Sequence, residues 1–544
     1  MTDNVLYYGD NLDILRRYIH DESVDLVYLD PPFNSKATYN VLFGEKNGSR
    51  SESQIKAFED TWHWDAVAAE AYDQVLEGGG QVAEAMRAFR TLLGGNDMLA
   101  YLSMMAPRLV ELRRVLKPTG SIYLHCDPTA SHYLKVLMDA VFGPGNYRNE
   151  IIWKRRTGSS SAVHQSNKFG VCTDSILFYA RTEAAALNAQ YNFDALGYQE
   201  YVDKFFTHVD ENGRRYALDN LANPAPRPNL MYEYRGYKPP RNGWAISREK
   251  MQEWESEGRL HFPADKNGRI RRKRYLDELR GKPVQSLWDD IEPIGAQAAE
   301  RLGYPTQKPE GLLERIISAS SHEGDLVLDP FCGCGTAVVV AERQKRLWIG
   351  IDITYLAVAL MKHRIWDTFR ESAKFRVLGE PTSLPDAKAL AGQDPYQFQY
   401  WALGLVGARP AEQKKGADQG IDGRLYFHDE AGGKTKQVVI SVKSGHVSVS
   451  QLRDLVGVVE REKAQIGLFI TLEEPTQPMR SEAASGRFYD SPGWGQKYPK
   501  IQILTIEELL QGAKLQYPPK TSVTFKEAPK AKRQEGATKK LPGM

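Results

Sequence analysis

A glycine-rich turn between an apolar stretch and a helical stretch constrains the fold of this chain more than any other feature. The sequence from Asp329 to Thr336 reads DPFCGCGT; it follows a predicted buried strand at 325–328 and precedes a helical pattern that begins at Ala337. Glycines at such a turn let the backbone bend tightly and approach a ligand closely. Dinucleotide-binding enzymes use such a turn too, and a purely structural turn is the alternative. A strand that leads through this kind of turn into a helix predicts an α/β fold.

The next predicted strand ends in an acidic residue that suits a ribose. This strand covers 347–351 and is followed by Asp352. A carboxylate at this place, roughly twenty residues after the glycines, can hydrogen-bond the hydroxyls of a ribose. The alternative is that Asp352 is the N-cap of the helix predicted from Ile353 to Met361.

A second motif follows a strand near the amino terminus. The run 23–29 is rich in β-forming residues and ends in the sequence Asp-Pro-Pro-Phe at 30–33. Strands separated by helices predict a doubly wound α/β sheet, which binds ligands at its carboxyl edge. The other elements predicted in this region are a strand at 5–8, a mostly helical stretch at 55–116, a turn at 117–120 and a strand at 121–125. The motif would place a carboxylate, two prolines and a ring at the binding edge; a rigid turn that caps a strand is the alternative.

The two motifs together resemble those of the amino-methyltransferases of DNA. That family carries Asp, Asn or Ser before Pro-Pro-Tyr/Phe as its catalytic motif and Phe-x-Gly-x-Gly as its cofactor motif, which Phe331, Gly333 and Gly335 match. The catalytic motif comes first here, with an aromatic and basic insert between the two. This order resembles the circularly permuted β class of the family, and the resemblance covers about residues 5–380.

The resemblance implies a Rossmann-like sheet that binds S-adenosylmethionine. The catalytic residues that it implies are Asp30, Pro31, Pro32 and Phe33. The carboxylate of Asp30 and the carbonyl of Pro31 would accept the hydrogens of an exocyclic amine, and Phe33 would stack on a base rotated out of the duplex. The segment 304–309 would contact the methionine part of the cofactor, and Gly9-Asp10 would lie near its adenine. The cofactor-binding residues implied in this way are Asp10, Thr306, Gln307, Lys308, Asp329, Phe331, Gly333, Gly335 and Asp352.

Asp30 also bears on the choice of substrate. In the resembled family Asp at this position favours adenine N6 and Ser favours cytosine N4, so we expect methylation of adenine in double-stranded DNA and keep cytosine N4 as the alternative. Asn at position 30 would have indicated methylation of glutamine in proteins or methylation of RNA. Methylation of cytosine C5 needs a nucleophilic thiol, and the Pro-Cys pair of that family does not occur in this sequence.

The insert between the motifs is the predicted target-recognition region. The formal net charge of the whole chain is only +2, so affinity for DNA must come from local basic patches. The insert is rich in aromatic, Gly, Pro and Arg residues and lacks a sustained helical or strand period, which predicts an irregular domain. Arg and Lys beside aromatic rings suit phosphate and base-edge contacts, and a solvated basic loop is the alternative. The predicted DNA-binding residues are Arg235, Arg241, Arg269, Arg271, Arg272, Lys273 and Arg274.

The carboxyl-terminal part predicts a third unit of the α/β type. Its strands are expected at 438–442 and 466–471, with a helix at 449–461 between them. The segment 416–423 and the strand that leads to Lys443 resemble the Mrr-like branch of the PD-(D/E)xK nucleases.

That resemblance implies a metal site with an incomplete ligand set. Asp422 would bind Mg²⁺ and Lys443 would orient a water molecule. Ser441 stands where Glu, Asp or Gln is usual. An active nuclease and a degenerate DNA-binding or regulatory module are both left open.

The remaining expectations concern organisation and setting. The predicted domains are a catalytic part at 1–183, the insert at 184–298, a cofactor part at 299–385, a restriction-endonuclease-like domain at 395–516 and a basic disordered tail at 517–544. The sequence has neither a signal-peptide pattern nor a run of about eighteen apolar residues, which predicts a cytoplasmic protein without a membrane partner. We expect a restriction-modification or phage-defence setting and leave a homodimer open. The competing hypothesis is a metal-dependent nuclease that uses the methyltransferase fold only to recognise DNA.

Overall fold

The chain forms two compact units. One consists of residues 1–188 and 291–544, and the other of residues 189–290. The computed structural model describes residues 3–32, 63–155, 169–193, 197–295, 298, 300–302, 304, 306–411, 420–429 and 435–518. No helix within these ranges combines the length and the apolar content needed to cross a membrane.

The first unit begins with alternating strands and helices, as the sequence predicts. In chain order they are β1 (Asn4–Tyr8), α1 (Asn11–Tyr18), β2 (Val24–Leu29), α2 (Ala66–Glu77), α3 (Gly80–Leu93), α4 (Asp97–Val115), β3 (Leu116–Cys126), α5 (Ser131–Phe142), β4 (Tyr147–Lys154) and β5 (Thr173–Ala180). The turn predicted at 117–120 is wrong, because these residues belong to β3. The pairing of β3 with β2 shifts in register there, between Val24 and Leu26, so the extra residues form an irregular part of the strand.

The second unit consists of short elements. They are β6 (Tyr191–Asn192), α6 (Tyr198–Phe205), β7 (His208–Val209), β8 (Arg215–Asn220), α7 (Arg248–Ser256), β9 (Leu260–His261), β10 (Arg271–Tyr275), β11 (Lys282–Pro283) and β12 (Leu287–Trp288). An antiparallel sheet with the strand order β7-β8-β10-β9 lies at its centre. The prediction of an irregular insert is therefore wrong. Its strands are short and carry many polar residues, so no period of two is visible in the sequence.

The α/β pattern resumes in the first unit after residue 291. The elements are α8 (Glu310–Ser320), β13 (Leu326–Asp329), α9 (Thr336–Arg343), β14 (Leu347–Asp352), α10 (Tyr355–Phe369) and β15 (Phe375–Leu378). The strands of this unit lie side by side in the order β4-β5-β3-β2-β13-β14-β1-β15. The six neighbouring strands β3, β2, β13, β14, β1 and β15 are parallel to one another. Strand β5 is antiparallel to both β3 and β4. The predicted doubly wound sheet is confirmed.

Helices cover both faces of this sheet. Alternate strand residues such as Val27 and Leu29 share one apolar core with helices α1 to α5. Their neighbours in the strands point to the other face, on which α8, α9 and α10 pack. Both faces are buried, which explains why the strands read as almost continuous apolar runs.

The carboxyl-terminal part of the first unit has its own sheet. Its elements are α11 (Leu384–Gln393), α12 (Pro395–Leu405), β16 (Arg409–Pro410), β17 (Gly423–Phe427), β18 (Lys436–Lys443), α13 (Val449–Arg461), β19 (Ile466–Thr471), α14 (Gln477–Ser485), β20 (Phe488–Asp490), β21 (Lys497–Pro499), β22 (Ile501–Thr505) and α15 (Ile506–Leu510). The five-stranded sheet has the order β16-β17-β18-β19-β22. Helix α13 has the predicted bounds, and a capping box of Ser448 and Gln451 fixes its start.

Helix α12 joins this part to the rest of the unit by packing on α10. The ring of Tyr355, the first residue of α10, lies in the same apolar core as Phe398 and Trp401 of α12. The ring of Tyr8 stacks on Tyr355 with a centroid distance of 3.6 Å. The end of β1 and the start of α10 are thus held against the carboxyl-terminal part.

Candidate active site

The sheet brings the two motifs of the sequence together. Strands β2 and β13 are parallel neighbours, with Val27 beside Leu328. Asp30 and the loop that begins at Asp329 therefore lie next to each other at the carboxyl edge of the sheet. This edge is where open α/β sheets bind ligands.

Asp30 forms an ion pair with Lys308. The ammonium of Lys308 donates to Oδ2 of Asp30, and both side chains are largely buried. Lys308, which we expect at the cofactor, thus contacts the carboxylate that the resemblance implies to be catalytic. Pro31 is buried and Pro32 is exposed. Phe33 lies outside the described residues, so its stacking role stays a prediction.

The glycine-rich loop has the geometry of a ligand cradle. Gly333 and Gly335 have positive φ values of 47° and 74°, which L-residues rarely adopt. A Cβ atom on Gly333 would lie 3.3 Å from the ring of Tyr304, and one on Gly335 would lie 2.6 Å from Cγ of Met361. The amide of Gly335 donates to the carbonyl of Cys332 at 2.7 Å and closes the turn before α9. A side chain at either glycine would therefore collide with Tyr304 or Met361, so the turn needs glycine at both positions.

A buried arginine that the sequence analysis missed supports this loop. Arg364 of α10 donates through Nη1 to the carbonyl of Cys334 and to Oγ1 of Thr336, both at 3.0 Å. Its Nη2 donates to Oε1 of Glu310 at 2.8 Å. Glu310 is held in turn by Arg343 at 2.7 Å. A cation within the apolar run of α10 was the pattern that could have revealed it.

Asp352 contacts the loop directly. Its Oδ2 accepts from the amide of Gly333 at 2.9 Å, and its Oδ1 accepts from the amide and hydroxyl of Thr354 at 2.9 and 2.8 Å. Burial raises the pKa of the Asp352 carboxyl, and these hydrogen bonds oppose the rise. The alternative that Asp352 caps the next helix is wrong, because Thr354 is the N-cap of α10. Ile353, the predicted first residue of that helix, lies before the N-cap and is 57% exposed.

Asp329 at the end of β13 is a buried acid, with 4% of its surface exposed. Burial raises the pKa of its carboxyl well above the usual range, and the nearby charges of Asp30 and Asp352 add to the rise. Its Oδ1 accepts from the amide of Phe331 at 3.1 Å. Phe331 itself is half-buried and packs against the core of the sheet.

Asp10 has a local role in this structure. Its side chain caps α1 by accepting from the amide of Leu12 at 2.7 Å, and it pairs with Arg108 at 2.8 Å. The neighbouring Asn11 reaches the cofactor loop, because its Nδ2 donates to the carbonyl of Pro330 at 2.8 Å. The expected contact of Asp10 with an adenine stays a prediction, whereas Asn11 is a contact that the sequence did not reveal.

Gln307 stabilises its own loop. Its Oε1 accepts from the amide of Leu302 at 2.8 Å, and its Nε2 donates to the carbonyl of Glu300. Thr306 is half-buried beside it. Gln307 thus bonds its own loop, and Lys308 pairs with Asp30. Neither interaction involves Thr306, whose contact with the cofactor stays a prediction.

A buried hydrogen-bonded chain lies near Asp30. Nε2 of His125 donates to Oδ2 of Asp174 at 3.1 Å, since a carboxylate can only accept, and the hydroxyl of Tyr28 therefore donates to Nδ1 of His125 at 3.1 Å. Burial lowers the pKa of His125, and the charge of Lys308 lowers it further. Burial alone would raise the pKa of Asp174, but the hydrogen bond from His125 and nearby positive charges bring it below the usual value. No sequence pattern indicates this series of hydrogen bonds, because Tyr28, His125 and Asp174 lie on three different strands.

The basic run of the insert divides between the two faces of a strand. In β10, Arg272 lies over the ring of Trp254 at 4.4 Å and Arg274 over the ring of Phe206 at 5.3 Å. Arg271 and Lys273 point to the opposite face. Of the other predicted DNA-binding residues, Arg241 and Arg269 are exposed, and Arg235 is exposed and paired with Glu255 at 3.0 Å.

The predicted metal site of the carboxyl-terminal part has a different structure. Oδ2 of Asp422 accepts from Oγ of Ser441 at 3.1 Å and from the amide of Val442 at 2.7 Å. Nζ of Lys443 lies 3.8 Å from the same oxygen. Within the described ranges no group of three acidic, His or Cys side chains could hold a metal ion. These residues do not fit the Mg²⁺ site that the resemblance implied.

Comparisons with known proteins agree with this geometry. The model of the N6/N4 methyltransferase family, described as DNA methylase, matches residues 24–362. A model described as NACHT-associated inactive Restriction Endonuclease 1 matches residues 396–511. This match supports the predicted restriction-endonuclease-like domain in the carboxyl-terminal part, and the Mrr-like resemblance stays a prediction.

Several curated proteins are similar to the chain. The Type II methyltransferase M.EcaI of Enterobacter cloacae is 28% identical over 367 residues, covering 67% of this chain and 69% of that protein. The StyLTI Mod subunit, a Type III restriction-modification enzyme of Salmonella typhimurium, is 27% identical over 62% of this chain and 49% of its own length. The DNA adenine methyltransferase YhdJ of Escherichia coli is 25% identical over 66% of this chain and 81% of its own length. The chain thus spans about half the length of the Mod subunit that it matches.

Proposed function

This chain belongs to the N6/N4 DNA methylase family, and we propose that it transfers a methyl group to N6 of adenine in double-stranded DNA. The observation that carries the proposal is the position of Asp30. Its carboxylate lies at the end of β2, beside the glycine cradle at the end of β13. The amine to be methylated and the methyl donor would therefore meet at one edge of the sheet.

The residues of the cradle fit S-adenosylmethionine. Two glycines with left-handed backbone form the turn that leads into α9, and the half-buried carboxylate of Asp352 accepts from the amide of Gly333 in this turn. When bound, this cofactor supplies an electrophilic methyl group on a sulfonium. Asp352 would hydrogen-bond the ribose hydroxyls, and Arg364 would keep the loop in place through the carbonyl of Cys334.

Asp30 and Pro31 would act on the amine. Its lone pair is delocalised into the base, which makes it a poor nucleophile. By accepting the two amine hydrogens, the Asp30 carboxylate and the Pro31 carbonyl would move the nitrogen towards tetrahedral geometry and aim its lone pair at the methyl group. The main contribution is positioning. The target base must first leave the duplex, because its amine is inaccessible inside the stack.

The choice between adenine and cytosine rests on Asp30. Asp in this motif favours adenine, and YhdJ, an adenine methyltransferase by name, is similar to the chain. Cytosine N4 is the second candidate, because the family includes both kinds of enzyme. We further propose that residues 189–290 recognise the target and that the enzyme works in a restriction-modification setting. Cytoplasmic location and a homodimer stay predictions.

We propose that the carboxyl-terminal part does not cut DNA. Ser441, whose Oγ donates to Asp422, supplies a hydroxyl where the resembled nucleases have a second metal-binding side chain. The match to an inactive nuclease model agrees with this assignment. The competing hypothesis of a metal-dependent nuclease has less support than methyl transfer.

The test uses wild type and Asp30→Ala with unmethylated bacterial DNA, labelled S-adenosylmethionine and EDTA. After digestion to nucleosides, N6-methyladenine from wild type alone is the expected product. Label in N4-methylcytosine would favour the second candidate, and the absence of any labelled base would refute methyl transfer to DNA. Calorimetric binding of S-adenosylmethionine by Asp30→Ala provides the control that the variant is folded.

A further inference from the structure

The sheet of the second unit presents a basic face. Antiparallel pairing sets Arg271 opposite Asn220 and His261, Lys273 opposite Leu218, and Tyr216 opposite His208. Directly paired residues of neighbouring strands point to the same face. The face formed in this way, which we call the basic face, consists of His208, Tyr216, Leu218, Asn220, His261, Arg271, Lys273 and Tyr275.

Helices cover the opposite face of this sheet. Ala217 packs in one core with Val202 and Phe206 at α6, and Leu260 packs in another with Met251 of α7. Arg272 and Arg274 point to this side as well. Arg272 lies over Trp254, and Nε of Arg274 lies 3.2 Å from Oδ2 of Asp219 in addition to its ring contact. These two arginines are therefore engaged in the fold of the unit.

The basic face concentrates positive charge over aromatic rings. Arg271, Asn220 and His208 are exposed. His208 stacks on Tyr216 with centroids 5.4 Å apart, and Nζ of Lys273 lies 5.4 Å from the same ring centre. None of the eight residues that form this face is acidic.

The titration of His261 reflects this crowding. Burial lowers the pKa of His261, and the charges of His208, Lys273 and Arg271 lower it further. Cations gathered on one face repel one another unless an anion lies between them. A polyanion is thus the ligand that this arrangement fits.

We propose that the basic face binds the phosphate backbone of double-stranded DNA through Arg271 and Lys273. The proposal rests on the function proposed above, since it names the surface that holds the substrate. Guanidinium and ammonium groups are the usual phosphate contacts of proteins, and such contacts fix the position of a protein on a duplex without reading its sequence. The proposal also separates the basic run into two binding residues and two structural residues.

The test compares two double variants of the full-length protein that change the net charge equally. Arg271→Glu/Lys273→Glu alters the basic face, whereas Lys204→Glu/Arg248→Glu alters α6 and α7, the helices on the other side of the sheet. Binding of a fluorescent, unmethylated duplex is followed by anisotropy over a range of salt concentrations. Binding of S-adenosylmethionine and the melting temperature show that each protein is folded.

We expect the variant of the basic face to bind the duplex at least about tenfold more weakly than wild type. Its salt slope, the slope of log K against log [salt], should become shallower by about two, one for each phosphate that is no longer neutralised. The control should keep the wild-type slope. Equal losses of affinity in both variants, an unchanged slope in the first, or tighter wild-type binding of single-stranded RNA than of the duplex would each overturn the proposal. If wild type methylates DNA while the slope is unchanged, the choice of face fails and the proposed function stands; if wild type neither binds nor methylates DNA, the proposed function fails and this proposal with it.

Discussion

Replacing Gln397 by Leu tests whether the nuclease-like part supports the cofactor site. Oε1 of Gln397 in α12 accepts from the amide of Tyr355 at 3.2 Å, and the contact is buried. Tyr355 follows Thr354, whose hydroxyl donates to Asp352, and Asp352 accepts in turn from Gly333 of the cofactor loop. Hydrogen bonds, together with the peptide bond between Thr354 and Tyr355, thus connect α12 to the glycine-rich loop.

The size of the effect follows from the missing acceptor. Leu cannot accept, so a buried amide at the start of α10 is left without a partner, which costs about 1–3 kcal/mol. If the whole cost reaches the cradle, the Kd for S-adenosylmethionine rises about fivefold to more than a hundredfold, at about 1.4 kcal/mol for each factor of ten.

Calorimetry with full-length protein measures this Kd. Gln399→Leu is the matched control, because Gln399 lies in the same helix but its Nε2 donates to the carbonyl of Asp422 in the nuclease-like part at 3.4 Å. We expect Gln399→Leu to bind the cofactor nearly as wild type does. A wild-type Kd for Gln397→Leu would refute the reasoning, and equal losses of affinity in the two variants would show that α12 acts only through general stability.

Three further predictions concern buried ionisable side chains. Arg364→Met should lower the free energy of unfolding by about 3 kcal/mol and weaken cofactor binding, because it leaves the carbonyl of Cys334 without its donor. Denaturant unfolding measures the first effect and calorimetry the second, and unchanged values would contradict the role of Arg364. Asp329→Asn should raise the melting temperature at pH 8 more than at pH 5. Burial raises the pKa of Asp329 in the folded protein, so this carboxyl lowers the stability of the fold as the pH rises above its unfolded pKa near 3.8. An equal shift of the melting temperature at both pH values would contradict this. His125 should reduce stability as the pH falls below 6.5, by up to about 1.4 kcal/mol per unit, because its folded pKa is lowered and only the unfolded chain takes up the proton; His125→Gln should make the dependence of unfolding on pH shallower, and an unchanged slope would count against it.

The local sequence was sufficient to predict most elements of the two α/β parts. Apolar runs indicated β2, β13, β14 and β19, and the helix predicted at 449–461 has those bounds in the structure. These elements are recognisable because burial of one or both faces imposes a period on the sequence. The insert shows the limit: its strands have few residues and polar side chains, so their sheet could not be predicted.

The sequence by itself identified the residues that suit methyl transfer, and the tertiary structure decided which side chains contact them. Asp30 and the two glycines of the loop are identifiable because their residue types follow strands, and parallel strands end at one edge of a sheet. Only the folded chain places Lys308 on Asp30, Arg364 under the loop and Arg272 on an aromatic ring. Such contacts depend on strand order and on packing between segments far apart in the chain, and neither is encoded in any short stretch of sequence.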